Sequence, residues 1–134
     1  MKKITQISLI IGIALLVISC KNTKQKLQEY VTTYNSQAAT FKAANVTLTT
    51  ARGYMDDNKI ELRFETNLEQ NESNKAAADT NFSELLTNRI EKDIVFQELV
   101  EEGVQFDVYY LADDNTVLDK KIINKEEIAA FLKK

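Results

Sequence analysis

The chain carries a single cysteine, Cys20, and no histidine. A thiolate is a strong nucleophile and a soft metal ligand, but nucleophilic use needs an activating neighbour and metal binding needs co-ligands. With histidine absent, the commonest general base and the commonest nitrogen ligand are missing. One cysteine also rules out an intramolecular disulfide. Two acidic triplets, Asp56-Asp57-Asn58 and Asp113-Asp114-Asn115, offer oxygen ligands of the kind Ca²⁺ takes. Neither has the spaced ligands, central glycine and distal glutamate of an EF-hand loop, so both read as ordinary turns. Only Gly12, Gly53 and Gly103 are available, too few and too scattered for a phosphate-cradling loop. The Glu101-Glu102 pair near a helix end reads as solvated, opposing the helix dipole mildly. No catalytic residue, metal or cofactor is expected, and the domain reads as non-enzymatic.

The position of Cys20 explains it better than reactivity does. Met1-Lys2-Lys3 is a basic start, and residues 9–18 are apolar apart from Gly12. That stretch is short for a bilayer span, which needs about 20 apolar residues, and suits the core of a secretory signal, about 7–15 residues long. Val17-Ile18-Ser19-Cys20 follows, and resembles a lipobox, the processing signal of bacterial lipoproteins. The resemblance implies cleavage between Ser19 and Cys20, attachment of lipid such as palmitate to the Cys20 thiol, and a mature chain tethered to the cell envelope by its N-terminus. Acyl chains hold by apolar transfer, about 0.8 kcal/mol per buried CH₂. In that family an aspartate directly after the cysteine favours inner-membrane retention. Lys21 stands here, so the outer membrane is the expected destination where the cell has one, and otherwise the cell membrane.

Loss of Lys2 and Lys3 with the signal leaves 15 of the 17 basic side chains against 20 acidic ones, a net charge of −5. That balance argues against nucleic acid as a partner. Lys21, Lys24 and Lys26 lie close to the anchor and would meet either anionic headgroups or solvent. The chain length of 134 residues allows one domain. The expected division is a signal over 1–19, lipidated cysteine and tether over 20–26, and one folded domain over 27–134.

The elements of that domain follow from periodicity. Leu27, Val31, Tyr34, Ala38 and Phe41 recur at helical spacing, which predicts a helix from about 23 to 44 with Asn45 at its end. Val46, Leu48 and Thr50 alternate with Thr47 and Thr49 as a strand. Residues 55–59 read as a turn, and Ile60, Leu62 and Phe64 alternate with Glu61, Arg63 and Glu65 as a second, half-buried strand. Residues 67–81 read as a polar connection. Asn81 with Glu84 resembles a capping box, opening one helix with a stripe of Phe82, Leu85, Leu86, Ile90, Ile94 and Val100 that stops at Gly103. Val104, Phe106, Val108 and Tyr110 alternate with Gln105, Asp107 and Tyr109 as a third strand. Residues 112–115 turn, 116–122 form a fourth strand, and Asn124 with Glu127 caps a short last helix.

The predicted fold is α+β: an antiparallel four-stranded sheet with helices packed on one face, in the order α-β-β-α-β-β-α. The shared Asp-Asp-Asn tips raise the alternative of an αββ unit used twice. This order, with the helix "NFSELLTNRIEKDIVFQELVEEG" running into "VQFDVYYLADDNTVL", resembles an uncharacterised family of small-lipoprotein domains over roughly residues 27–122. The family has no assigned activity, so it brings no functional residue. The sheet face away from the helices is expected to show Thr47, Thr49, Glu61, Arg63, Glu65, Gln105, Asp107 and Tyr109. A mixed-charge face with an aromatic suits protein recognition and equally a plain wet surface; an open edge strand is another route to a partner. The expected function is a membrane-anchored, non-catalytic binding or protein-interaction module with an envelope partner. The alternative is a structural or assembly accessory of the envelope.

Overall fold

The computed structural model describes residues 22–132. Cys20, Ser19 and the signal lie outside the described residues. Helix α1 spans Thr23–Gln37. Asn22 opens it with a reciprocal cap: its Oδ1 accepts from Gln25 N at 2.9 Å and its own N donates to Gln25 Oε1 at 3.4 Å. Only Lys21 and that cap residue separate Cys20 from the first helical residue. The buried stripe is Leu27, Tyr30 and Tyr34. The helix stops short of the expected 44. A 3₁₀ turn over Ala38–Thr40 follows, and Phe41 drops onto Phe64 with ring centroids 5.7 Å apart. Asn45 then takes φ 68°, a left-handed turn that asparagine tolerates.

Strand β1 (Val46–Tyr54) and strand β2 (Lys59–Thr66) pair antiparallel. A bulge between Val46 and Leu48 shifts the register, so Thr49, Ala51 and Gly53 face the helices and Leu48 faces solvent. This reverses the expected alternation of β1. The small residues let α1 sit close: a Cβ on Gly53 would lie 3.0 Å from Leu27 Cδ2.

Helix α2 runs Glu72–Lys92 and helix α3 Ile94–Glu101. Two expectations are corrected here. The stretch 67–81 is largely helical, since Asn71, not Asn81, caps α2, its side chain accepting from Asn74 N at 2.8 Å. The single long helix is two, broken at Asp93, where ψ is 89°. Gly103 ends α3 at φ 99° as expected, with Val104 N donating to Leu99 O at 2.9 Å.

Strand β3 (Gln105–Leu111) and strand β4 (Val117–Ile123) form the second hairpin, and helix α4 (Ile128–Leu132) closes the fold. Asn124 Oδ1 accepts from Glu126 N and Glu127 N at 3.0 Å each, leading into α4. The strand order is β1-β2-β3-β4. The sheet is mixed rather than antiparallel, because β2 and β3 run parallel, Ile60 beside Phe106 and Phe64 beside Tyr110. A helical connection returns the chain to the end where β2 began, which is what parallel neighbours require.

The parallel junction also decides the repeat. Laying hairpin β1–β2 on hairpin β3–β4 requires turning the sheet over, which would put their helices on opposite faces. All helices pack on one face, so the shared Asp-Asp-Asn motif is turn chemistry. Asn58 at φ 51° and Asn115 at φ 66° supply the left-handed residue in each turn. The two turns lie at opposite ends of the sheet: 55–58 beside the start of α1, and 112–116 beyond the end of β3.

Between helices and sheet lies a core of aliphatic side chains threaded by a chain of aromatic rings. Phe106 stacks on Phe96 at 3.8 Å and meets Tyr30 edge-on at 5.5 Å; Phe82 stacks on Tyr110 at 5.2 Å and meets Phe64 at 6.3 Å. At the β1 edge, Asn35 does the work of a neighbouring strand: its Nδ2 donates to Ala51 O at 2.9 Å and its Oδ1 accepts from Ala51 N at 2.8 Å. Asn35→Ala leaves both groups unpaired on an edge strand. It is expected to cost about 1–2 kcal/mol in urea denaturation and to raise light scattering on heating.

Candidate functional site

The open face of the sheet carries most of the predicted residues. Cross-strand neighbours place Glu61 beside Asp107 and Arg63 beside Tyr109, with Glu65 further along β2. Part of the face is already paired with itself. Lys59 Nζ lies 3.4 Å from Asp107 Oδ2, and Gln105 Nε2 donates to Asp107 Oδ1 at 2.7 Å. Arg52 and Lys59 flank the Tyr54 ring, and Lys120 lies over the Tyr109 ring at 5.1 Å. Asp107 is on the expected face but only 6% exposed, held in by those partners. Thr49 leaves that face altogether and bonds the Tyr34 hydroxyl within the helix layer. In the second acidic turn, Asp114 accepts from Thr116 N and Oγ1. Those bonds hold its carboxyl below the usual range, which occupies the group as a turn does. Among the described residues no group of three acidic or cysteine side chains could hold a metal ion, and no helix is long and apolar enough to cross a membrane.

On the other side of the sheet lies a feature that periodicity does not announce. Helix α1 packs on β1 and α3, whereas α2 packs on β4, α3 and α4. Between α1 and α2 a cleft of about 1230 Å³ remains, with Tyr110 of β3 at its floor. Matching stripes of the two helices form its walls, Lys26, Tyr30, Tyr34 and Gln37 facing Asn81, Leu85, Arg89 and Lys92. Segment 41–45 and the first turn of α3 form its ends.

The break at Asp93 sets the chemistry of this cleft. Arg89 and Asp93 are four residues apart, a spacing that pairs ions on a continuous helix. Here the helix stops, and Asp93 turns to other partners. Its Oδ1 caps α3 by accepting from Phe96 N at 3.0 Å, and its Oδ2 accepts from Tyr30 Oη at 2.8 Å. Arg89 is left without a carboxylate. Its guanidinium lies over the Tyr34 ring at 4.4 Å and the Phe41 ring at 5.4 Å. It forms no ion pair among the described residues, and its Nε is buried without an acceptor. Burial pushes the phenols of Tyr30 and Tyr34 well above their ordinary value, and the Asp93 carboxylate adds to the shift at Tyr30. Both therefore stay neutral at physiological pH, Tyr30 as the donor to Asp93.

The arrangement sets a ring-flanked guanidinium and two neutral phenols along an open cleft. Tyr30, Tyr34, Arg89 and Asp93 were absent from the predicted site. The signals were present as two i, i+4 pairs, Tyr30 with Tyr34 and Arg89 with Asp93, but such pairs are common on ordinary helices. No family model, no curated protein and no solved structure matches the chain.

Proposed function

We propose that this protein is a lipid-anchored, non-catalytic binding module of the bacterial cell envelope, and that the cleft between α1 and α2 is its binding site. The observation that carries the binding reading is the cleft itself: about 1230 Å³, within reach of the usual size of ligand sites, with a cation on its wall that has no carboxylate partner among the described residues. The open sheet face is the weaker candidate, because this concavity lies on the other side of the sheet and Lys59, Gln105 and Asp107 on the central strands satisfy one another. The anchor reading is supported by the basic start, the apolar core and Val17-Ile18-Ser19-Cys20.

Each half has its own experiment. Metabolic labelling with a palmitate analogue is expected to mark the wild-type chain and leave Cys20→Ala unlabelled; equal labelling removes the anchor. Native mass spectrometry of the full chain isolated from cells is expected to show a non-covalent small-molecule adduct that Asn88→Trp, a bulky residue on the cleft wall, displaces. Adduct retention in Asn88→Trp, with loss in Arg63→Glu on the open face, would move the site to the sheet.

A further inference from the structure

We propose that the cleft binds an organic monocarboxylate with an apolar body, and that the Arg89 guanidinium is the group that receives the carboxylate; this rests on the cleft being the binding site. A guanidinium has five N–H donors in a fixed fork that matches a carboxylate. In this fold the intramolecular candidate for that role, Asp93, is committed to Phe96 N and Tyr30 Oη. The two rings against Arg89 fix its plane but supply no acceptor. The buried donor without an acceptor is Nε; a ligand carboxylate would engage the terminal nitrogens of the same guanidinium with charge-assisted bonds and offset the cost of holding that cation against the rings.

The charge around the cleft selects a single negative group. Along its rim Lys26, Lys42 and Lys92 are matched by Glu29, Glu84 and Glu98. Lys26 is further engaged by Glu102 at 2.9 Å. With Arg89 and Asp93 the lining holds four cations and four acids, so a multiply charged anion such as a phosphate ester gains no net attraction there, whereas one negative group matches the one guanidinium. The apolar body has its own surface. Ile94 and Val95, in the first turn of α3, line the cleft and are 68% and 45% exposed. They stand at the α3 end of the cleft, whereas the Arg89 guanidinium lies against Tyr34 and Phe41, so an apolar body would run along the cleft from the cation toward them. Phe41 and Leu85 continue the apolar lining.

The test is calorimetric titration of the detergent-solubilised full chain with three probes sharing one body: 4-phenylbutanoate, 4-phenylbutanamide and 4-phenylbutyl phosphate. The carboxylate is expected to bind at least tenfold tighter than the amide and tighter than the phosphate. Arg89→Gln is expected to erase the preference for carboxylate over amide, and Arg89→Lys, which keeps the charge and loses the fork, to retain only part of it. Thermal melts of both variants show whether the domain is intact, and Arg89→Lys keeps the test valid where Arg89→Gln does not fold. Equal binding of acid and amide, blocked by Asn88→Trp, overturns the carboxylate assignment and leaves the cleft as the site. No binding of the acid up to 10 mM also overturns it, while the native mass spectrum decides the cleft separately. Tightest binding of the phosphate would replace the ligand class.

Discussion

Asp93→Ala is expected to destabilise the domain by about 2–4 kcal/mol, a large part of the total stability of a domain this size. Two losses combine. Helix α3 loses its N-cap bond to Phe96 N, worth about 1 kcal/mol. The Tyr30 hydroxyl, in a residue 8% exposed, loses its acceptor, at about 1–3 kcal/mol. Urea denaturation of Asp93→Ala, Tyr30→Phe and the double variant would measure it. The two changes share one hydrogen bond, so the double variant is expected to fall short of the sum by about 1–2 kcal/mol. Strict additivity would mean that Tyr30 and Asp93 do not act as a pair. Because Asp93 also withdraws from Arg89 by making these bonds, the same residue that holds the cleft together keeps its cation unneutralised.

Alkaline pH is expected to have the second large effect. The folded phenols of Tyr30 and Tyr34 titrate above their unfolded value of about 10, chiefly because burial opposes the charged form. Above pH 10 the unfolded chain releases protons that the folded chain still holds, so the unfolded state gains. Stability from these groups is therefore complete below pH 10 and falls as pH rises toward the folded values. For each phenol still protonated in the fold, the loss is about 1.4 kcal/mol per pH unit. Unfolding free energies at pH 9, 10, 11 and 11.5 should decline, and Tyr30→Phe should reduce the decline by about 1.4 kcal/mol per unit above pH 10. An unchanged slope in Tyr30→Phe would remove Tyr30 as the source.

How much of this was legible depended on which forces left a trace in residue order. Strand β2 and most of β3 were readable because each has one buried and one wet face, so Ile60, Leu62, Phe64, Phe106, Val108 and Tyr110 alternate plainly. The turns at Asn58 and Asn115, the stop at Gly103 and the cap at Asn124 were readable because backbone geometry there demands particular residues. The first turns of α2 were not. Between Glu72 and Asn81 only Ala78 is buried, so no apolar stripe marks them, and the helix rests on propensity and the Asn71 cap. Asp93 was hidden within an apolar stripe, since Ile90 and Ile94 keep helical spacing across the break, although Ile94 turns out 68% exposed. The faces of β1 were misread because the bulge after Val46 shifts every later residue by one place. The parallel junction of β2 and β3, and with it the cleft, depends on where helices lie over a sheet, which periodicity within any one segment does not encode.

The closeness of Cys20 to α1 has a consequence for posture. An extended chain covers at most about 3.3–3.6 Å per residue, and only Lys21 and Asn22 lie between Cys20 and Thr23. With Cys20 acylated, the foot of α1 stands within about 10 Å of the headgroups, and the domain has little room to drift. The 55–58 turn lies at that same end of the fold. The 112–116 turn lies at the opposite end of the sheet. Two tips written with the same three residues would thus meet different surroundings, one near the anchored foot of α1 and the other at the far end of the sheet from it.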